Sequence, residues 1–193
     1  MGVVPLSIAW KMTTYYGRLR LRADGRRLGT GVRLLGLPYV HGPGRVVLGD
    51  RVVLTSDRRG TALGTRGPVI LNAMHEYSRI VIGDDTGISG AVICAGELVE
   101  IGARCLLGAD VMVFDNDFHP MAAEGRRYAR PDYHAISRPT VIGDDVFIGA
   151  RAIVGKGARI GNGSVIGAGS VVTGEIPAGV IAAGVPARVV RAL

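Results

Sequence analysis

The stretch Asp115–Pro120, DNDFHP, sets His119 between acidic residues and a proline, at the point where a regular chain rhythm stops. An imidazole there could accept a proton from a poorly nucleophilic group, because histidine changes charge near neutral pH. Asp115 and Asp117 lie close enough in sequence to orient the ring through its second nitrogen, or to cap the loop through Asx-turn bonds. His41, His75 and His134 are scattered, and no Cys or His cluster has the spacing of a zinc site. Cys94 and Cys105 suggest neither a disulfide framework nor an activated nucleophile, and both read as core residues in a reducing compartment.

These residues need a scaffold, and from Ile142 the chain writes itself in six-residue lines: IGDDVF, IGARAI, VGKGAR, IGNGSV, IGAGSV, VTGEIP. The first place is always Ile or Val, the second is glycine in all but the last line, and the fifth is mostly small. A period of six fits neither a helix nor a long strand; it fits a short strand and a tight turn, stacked repeatedly. The first residue should point inward, glycine should ease the turn, and the fifth residue should fit the narrow corner. Lines beginning at Ile82, Ile88, Ile101 and Leu107 continue the pattern upstream. Cys94 is expected in an inward first place, Cys105 in an inward fifth, and one residue is inserted before Ile101. Leu48, Leu54 and the stretch Val69–Leu71 carry it farther back. The fold class is therefore an all-β repeat, a parallel β-helix whose coils are stabilised by their neighbours.

Composition agrees: 193 residues, 30 glycines, 48% hydrophobic but only 5% aromatic, so the core must be aliphatic. A mean hydropathy of +0.30 argues against disorder. No apolar run has membrane-spanning length and no convincing leader opens the chain, so a cytoplasmic location is expected. Residues 1–35 form a basic segment, with Lys11, Arg18, Arg20, Arg22, Arg26, Arg27 and Arg33 against Asp24. Ser7–Arg22 reads as a helix that caps the open end of the prism or lies on a membrane surface. Residues 36–193 form the β-helix, interrupted by a polar loop over 114–140 and closed by 177–193. Loops of that length in a compact rod are usually functional or disordered.

The lines IGDDTGISG, DNDFHP, VIGDDVFIGA and GAGSVVTGEIPAGVIAAGVPARVVR together resemble the hexapeptide-repeat acyltransferases, in particular the galactoside and maltose O-acetyltransferases and their polysaccharide O-acetyltransferase relatives. The resemblance implies a left-handed, three-sided β-helix and a homotrimer. It implies acetyl-CoA as acyl donor, with no metal, and a sugar or glycan acceptor. It makes His119 the general base for direct transfer, with Asp117 as its orienting carboxylate and backbone N–H groups at the coil edges as the oxyanion hole. Ala150, Ala168 and Thr173 align with donor-binding positions, although the galactoside enzymes carry serine where Ala150 stands. Arg188 and Arg191 align with arginines near the CoA phosphates. Ser89, Asn72 and Asp115 are candidates for the acceptor side, where an asparagine of the galactoside enzymes, at the Ile88–Ser89 level, has no counterpart. N-acylation of an amino sugar or nucleotide-sugar needs much the same residues. A zinc-dependent carbonic anhydrase on the same prism lacks its H-x4-H pair here. A basic nucleic-acid-binding module, the reading for pI ≈ 10.0, lacks a recognised motif or a series of stacking aromatics, so no nucleic acid is expected.

Overall fold

A computed structural model describes residues 6–23, 26–129 and 132–193. Among them the strands build three parallel sheets, the faces of a left-handed three-sided prism. The first face has seven strands, from Arg27–Leu28 to Glu175–Ile176; the second has eight, from Arg33–Leu35 to Ala187–Ala192; the third has six, from Tyr39–His41 to Val171–Val172. Apart from the last strand, each pairs in parallel with the one a full coil away: Ile142 lies beside Ile160, Ile148 beside Ile166 and Val154 beside Val172. These first-place residues form aliphatic columns with almost no exposure. The fifth-place residues Val146, Ala152, Ala158, Ser164 and Ser170 are also buried. The two serines bond the chain beyond them: the Ser164 hydroxyl donates to Pro177 O at 2.6 Å, and Ser170 Oγ accepts from Gly184 N at 3.1 Å.

Three details depart from the sequence reading. The residue aligned inward with Val113 is Ile93, while its neighbour Cys94 pairs with Phe114 and Asn72 in the adjacent column. Cys94 is buried but lies outside the central cluster that Cys105 joins. The step from Ile88 is one residue short because Gly90, at φ 56°, tightens that corner. The last line is shortened by two residues, so Ile176 is a first-place residue beside Ile160. Finally, the second-place glycines do not make the turn. A Cβ on Gly83 or Gly161 would lie 2.6 or 2.4 Å from a backbone nitrogen of the next coil, so glycine is needed for close stacking. The left-handed residue is the fourth, whether charged, as in Arg104 at φ 56° and Asp145 at φ 58°, or glycine. That corner is tied between coils by ion pairs: Arg51 to Asp85 at 2.6 Å and Arg104 to Asp145 at 2.7 Å.

Helix α1, Leu6–Ala23, closes the first coil. Gly17 is buried against the prism, and a Cβ there would stand 2.6 Å from Leu34 Cδ1. The Thr14 hydroxyl donates to Leu34 O at 3.0 Å and accepts from Leu34 N at 2.9 Å, supplying partners that the outermost strand would otherwise lack. Trp10 Nε1 donates to Asp57 at 3.3 Å. At the other end, Val180–Gly184 and Ala187–Ala192 form an antiparallel hairpin that finishes the second face.

Candidate active site

The chain leaves the third face after its strand Met112–Phe114, and it re-enters the first face at Thr140–Ile142. The excursion leaves through a braced neck. Asp115 is fully buried, and its carboxylate accepts from the backbone nitrogens of Gly96, Glu97 and Leu98, each at 2.7 Å. It also accepts from Asn116 Nδ2 at 3.0 Å. Asn116 Oδ1 takes the Phe118 N–H at 2.9 Å, an Asx turn, and Asn116 bridges Ser137 on the returning limb. Arg138 N donates to Asp115 O at 2.8 Å, and the Thr140 hydroxyl reaches Phe114 O and Gly155 O at 3.1 and 3.0 Å.

Above this neck Phe118 takes φ 62°, a conformation rare for a bulky residue, and packs its ring 5.7 Å from that of Phe114. The kink delivers His119 to the surface, where it is exposed. Its Nδ1 lies 3.3 Å from Pro120 O. A carbonyl only accepts, so this contact calls for the proton on Nδ1 and leaves the lone pair on Nε2. Asp117, expected to orient the ring, forms an ion pair with Lys156 of the coil below instead. Asp115, expected to face an acceptor, is turned into the corner and saturated there by N–H donors. The ring thus meets a backbone carbonyl, and the two carboxylates brace the strand end and the loop.

The other sequence candidates fall on the two long edges of the third face. Asn72 is half-buried and lies in register with His41 and Cys94, and Cys94 with Phe114; it therefore shares the edge from which the His119 loop departs, two strands or roughly 10 Å along the axis from Phe114. Thr173, exposed, follows Val172 on that same edge. Ser89, Ala150 and Ala168 stand on the opposite edge, where the second face turns into the third. Gly169 N donates to Ala150 O at 2.9 Å, and a Cβ on Gly149 would meet Ala168 N at 2.4 Å, so coil backbone is stacked tightly along it. The edge runs on to Ala183, which pairs with Arg188; Ile181 pairs with Arg191, and both arginines are exposed. The structure therefore groups His119, Asn72 and Thr173 on one edge, and Ser89, Ala150, Ala168 and the arginine-bearing hairpin on the other.

Neither thiol is poised for chemistry. Burial, helped by the charge of Asp115, pushes Cys94 up to about 11, and burial also raises Cys105. Lys156, Asn116 and the Pro120 carbonyl were not legible as site residues. The Asn-x-Phe spacing of an Asx turn was the one local signal; the Lys156 contact joins residues 39 apart.

The family model for bacterial transferase hexapeptide, six repeats, matches residues 139–174. Among solved structures, a hexapeptide-repeat acetyltransferase from Vibrio cholerae in complex with acetyl-CoA is 36% identical over 59% of this chain and 60% of its own, with a TM-score of 0.54. A maltose O-acetyltransferase from Clostridium difficile is 32% identical over 59% of each chain, with a TM-score of 0.51. Both alignments thus span less than two thirds of those proteins. The N-acyltransferase AntD from Bacillus cereus, in complex with dTDP and 3-hydroxybutyryl-CoA, shares the fold over 91% of this chain and 87% of its own, at 21% identity and a TM-score of 0.68.

Proposed function

We propose, on the premise that this chain is a hexapeptide-repeat protein of the bacterial transferase kind, that it is a CoA-dependent acyltransferase acting on a sugar hydroxyl. The observation that carries the reading is His119: an exposed imidazole with Nδ1 on a carbonyl and Nε2 open, held at a coil edge by a braced neck. The similarity to acetyltransferases, one of them with acetyl-CoA bound, supplies the donor.

In the proposed reaction Nε2 takes the proton of the acceptor hydroxyl as its oxygen attacks the thioester carbonyl carbon. The tetrahedral intermediate collapses with rupture of the C–S bond, and the imidazolium proton passes to the leaving CoA sulfur. The products are the acetyl ester and free CoA thiol, with neutral histidine restored. Arg188 and Arg191 would meet the donor's phosphates, and Ala150, Ala168 and Thr173 would let its pantetheine arm approach the backbone.

Because the histidine edge and the alanine–arginine edge are opposite margins of one face, the complete site is proposed to form between copies, in a homotrimer. The histidine edge of one copy would face the alanine edge of the next. Asn72, on the histidine edge, is the proposed acceptor contact, and a polysaccharide or its precursor is the proposed acceptor class, handled in the cytoplasm. A second reading, acyl transfer to the amine of a nucleotide-sugar, is favoured by the fold likeness to AntD across nearly the whole chain.

The discriminating experiment follows free thiol from acetyl-CoA against a panel of neutral sugars, glycans and amino-sugar nucleotides. Hydroxylamine-labile product from a sugar hydroxyl supports the first reading; hydroxylamine-stable amide supports the second. Absence of both donor binding and acceptor-dependent thiol release across the panel would refute acyl transfer.

A further inference from the structure

Helix α1 carries two stripes of identical spacing. Trp10, Thr14, Gly17 and Leu21 follow an i, i+4, i+7, i+11 pattern and face the prism, as the buried Gly17 and Leu21 and the bonds of Trp10 and Thr14 show. Ile8, Met12, Tyr15 and Leu19 repeat that pattern two residues earlier, on the opposite side. They are 48, 67, 70 and 52% exposed. Capping the prism accounts for the first stripe and leaves the second with no partner within the described chain.

Charge identifies what the second stripe fits. The helix contains no Asp or Glu, and Lys11, Arg18 and Arg20 flank the apolar residues. Beside the stripe lies an open groove of about 700 Å³, with Leu35 and Trp10 in its wall and Lys11, Arg18 and Arg33 around it. The nearby acid Asp57 is already engaged by Arg59 and Trp10, so these cations are not neutralised by it. We infer that α1 is an interfacial helix, docking the protein on an anionic lipid surface: Ile8, Met12, Tyr15 and Leu19 enter the headgroup boundary while the flanking cations meet lipid phosphates. Aligning this face with the same face of a second copy would press like charges together without an acid on either helix. A nucleic acid would meet the cations but would leave Ile8, Met12 and Leu19 without a role. No helix among the described residues is long and apolar enough to cross a membrane, so the contact is peripheral. The inference does not depend on the acyltransferase reading.

The test is flotation of the full chain with phosphatidylcholine vesicles containing about 30 mol% phosphatidylglycerol, against pure phosphatidylcholine, at low and high salt. The wild type should float with the anionic vesicles only, and less at high salt. The double variant Met12→Glu/Leu19→Glu, altered at exposed positions, should lose at least about ten-fold in binding with unchanged circular dichroism and oligomeric mass. The pair Lys11→Ala/Arg18→Ala should lose on the order of twenty-fold on anionic vesicles. Absence of flotation, equal flotation with neutral vesicles, or binding untouched by these variants would overturn the inference. So would a drop in oligomeric mass in the glutamate variant, which assigns the stripe to a second copy. Salt-sensitive DNA binding without vesicle binding would overturn it in favour of nucleic acid.

Discussion

Asp115→Asn should damage a corner of the prism before it damages any chemistry. The native carboxylate takes three backbone N–H groups at 2.7 Å inside a fully buried turn. Bonds to a charged acceptor contribute about 1.5–3 kcal/mol each. An asparagine can keep its carbonyl toward Glu97 and Leu98, but then sets its NH2 against the Gly96 N–H and the Asn116 amide, losing the Gly96 bond, displacing Asn116 and weakening two. The local loss is about 2–3 kcal/mol. Asp115→Ala strips all three backbone donors, and each buried N–H left without an acceptor costs about 1–3 kcal/mol. Amide hydrogen exchange reads this directly: Gly96, Glu97 and Leu98 should exchange on the order of 100-fold faster in Asp115→Asn. If that local loss appears in global unfolding, Tm should fall by about 2–4 °C per kcal/mol for a chain of this size. Activity should decline only as the His119 loop loses its footing. Unchanged exchange at the three amides, combined with a raised KM for the acceptor, would show that Asp115 faces substrate and refute the reasoning.

Three further outcomes follow from the same geometry. Ala168→Glu puts a carboxylate on the proposed donor edge at an exposed position, so KM for acetyl-CoA should rise about ten-fold or more with Tm unchanged; steady-state kinetics and a melting curve check both. Lys156→Met should release Asp117 and loosen the loop, lowering kcat several-fold without abolishing it, as read in the thiol-release assay. The Arg104 guanidinium, by its hydrogen bonds and charge, holds the Asp145 carboxyl below its usual range. A depressed folded value means stabilisation present above the unfolded carboxylate value of about 3.9 and lost as pH falls through the folded value. The stability gap between wild type and Arg104→Gln should therefore narrow below about pH 4, measured by urea unfolding across pH. Because both side chains are about half exposed, the gap will be small even at neutral pH.

The prism was legible because its core residues obey a strict count. From Ile142 every sixth residue is aliphatic, and Ile142, Ile148 and Val154 each fall on the column expected of them. Counting fails where a corner is shortened. Nothing in the letters ISGAVICA distinguishes a six-residue step to Cys94 from a five-residue step to Ile93; the pairing with Val113 does. The role of the second-place glycine was misread for a related reason: a tight turn and a close approach both demand glycine, and only the position of the neighbouring coil separates them. The site shows the same division. His119 was visible as a break in a rhythm, a local property. The burial of Asp115 depends on a turn at Gly96–Leu98, and the partner of Asp117 is a lysine 39 residues onward. Both contacts are made across coils, where spacing along the chain carries no information.

In the proposed reaction Nε2 of His119 removes the acceptor proton during direct transfer. The measurement closest to it is single-turnover release of CoA thiol by His119→Ala, with the donor saturating and an acceptor taken from the wild-type panel. The variant should bind donor normally and retain the wild-type melting temperature, since the ring is exposed and, among the described residues, its hydrogen-bond contact is to Pro120 O. Its transfer rate should fall by about 10²–10⁴, the range for loss of a positioned general base. A folded His119→Ala protein that turns over at the wild-type rate would contradict the account.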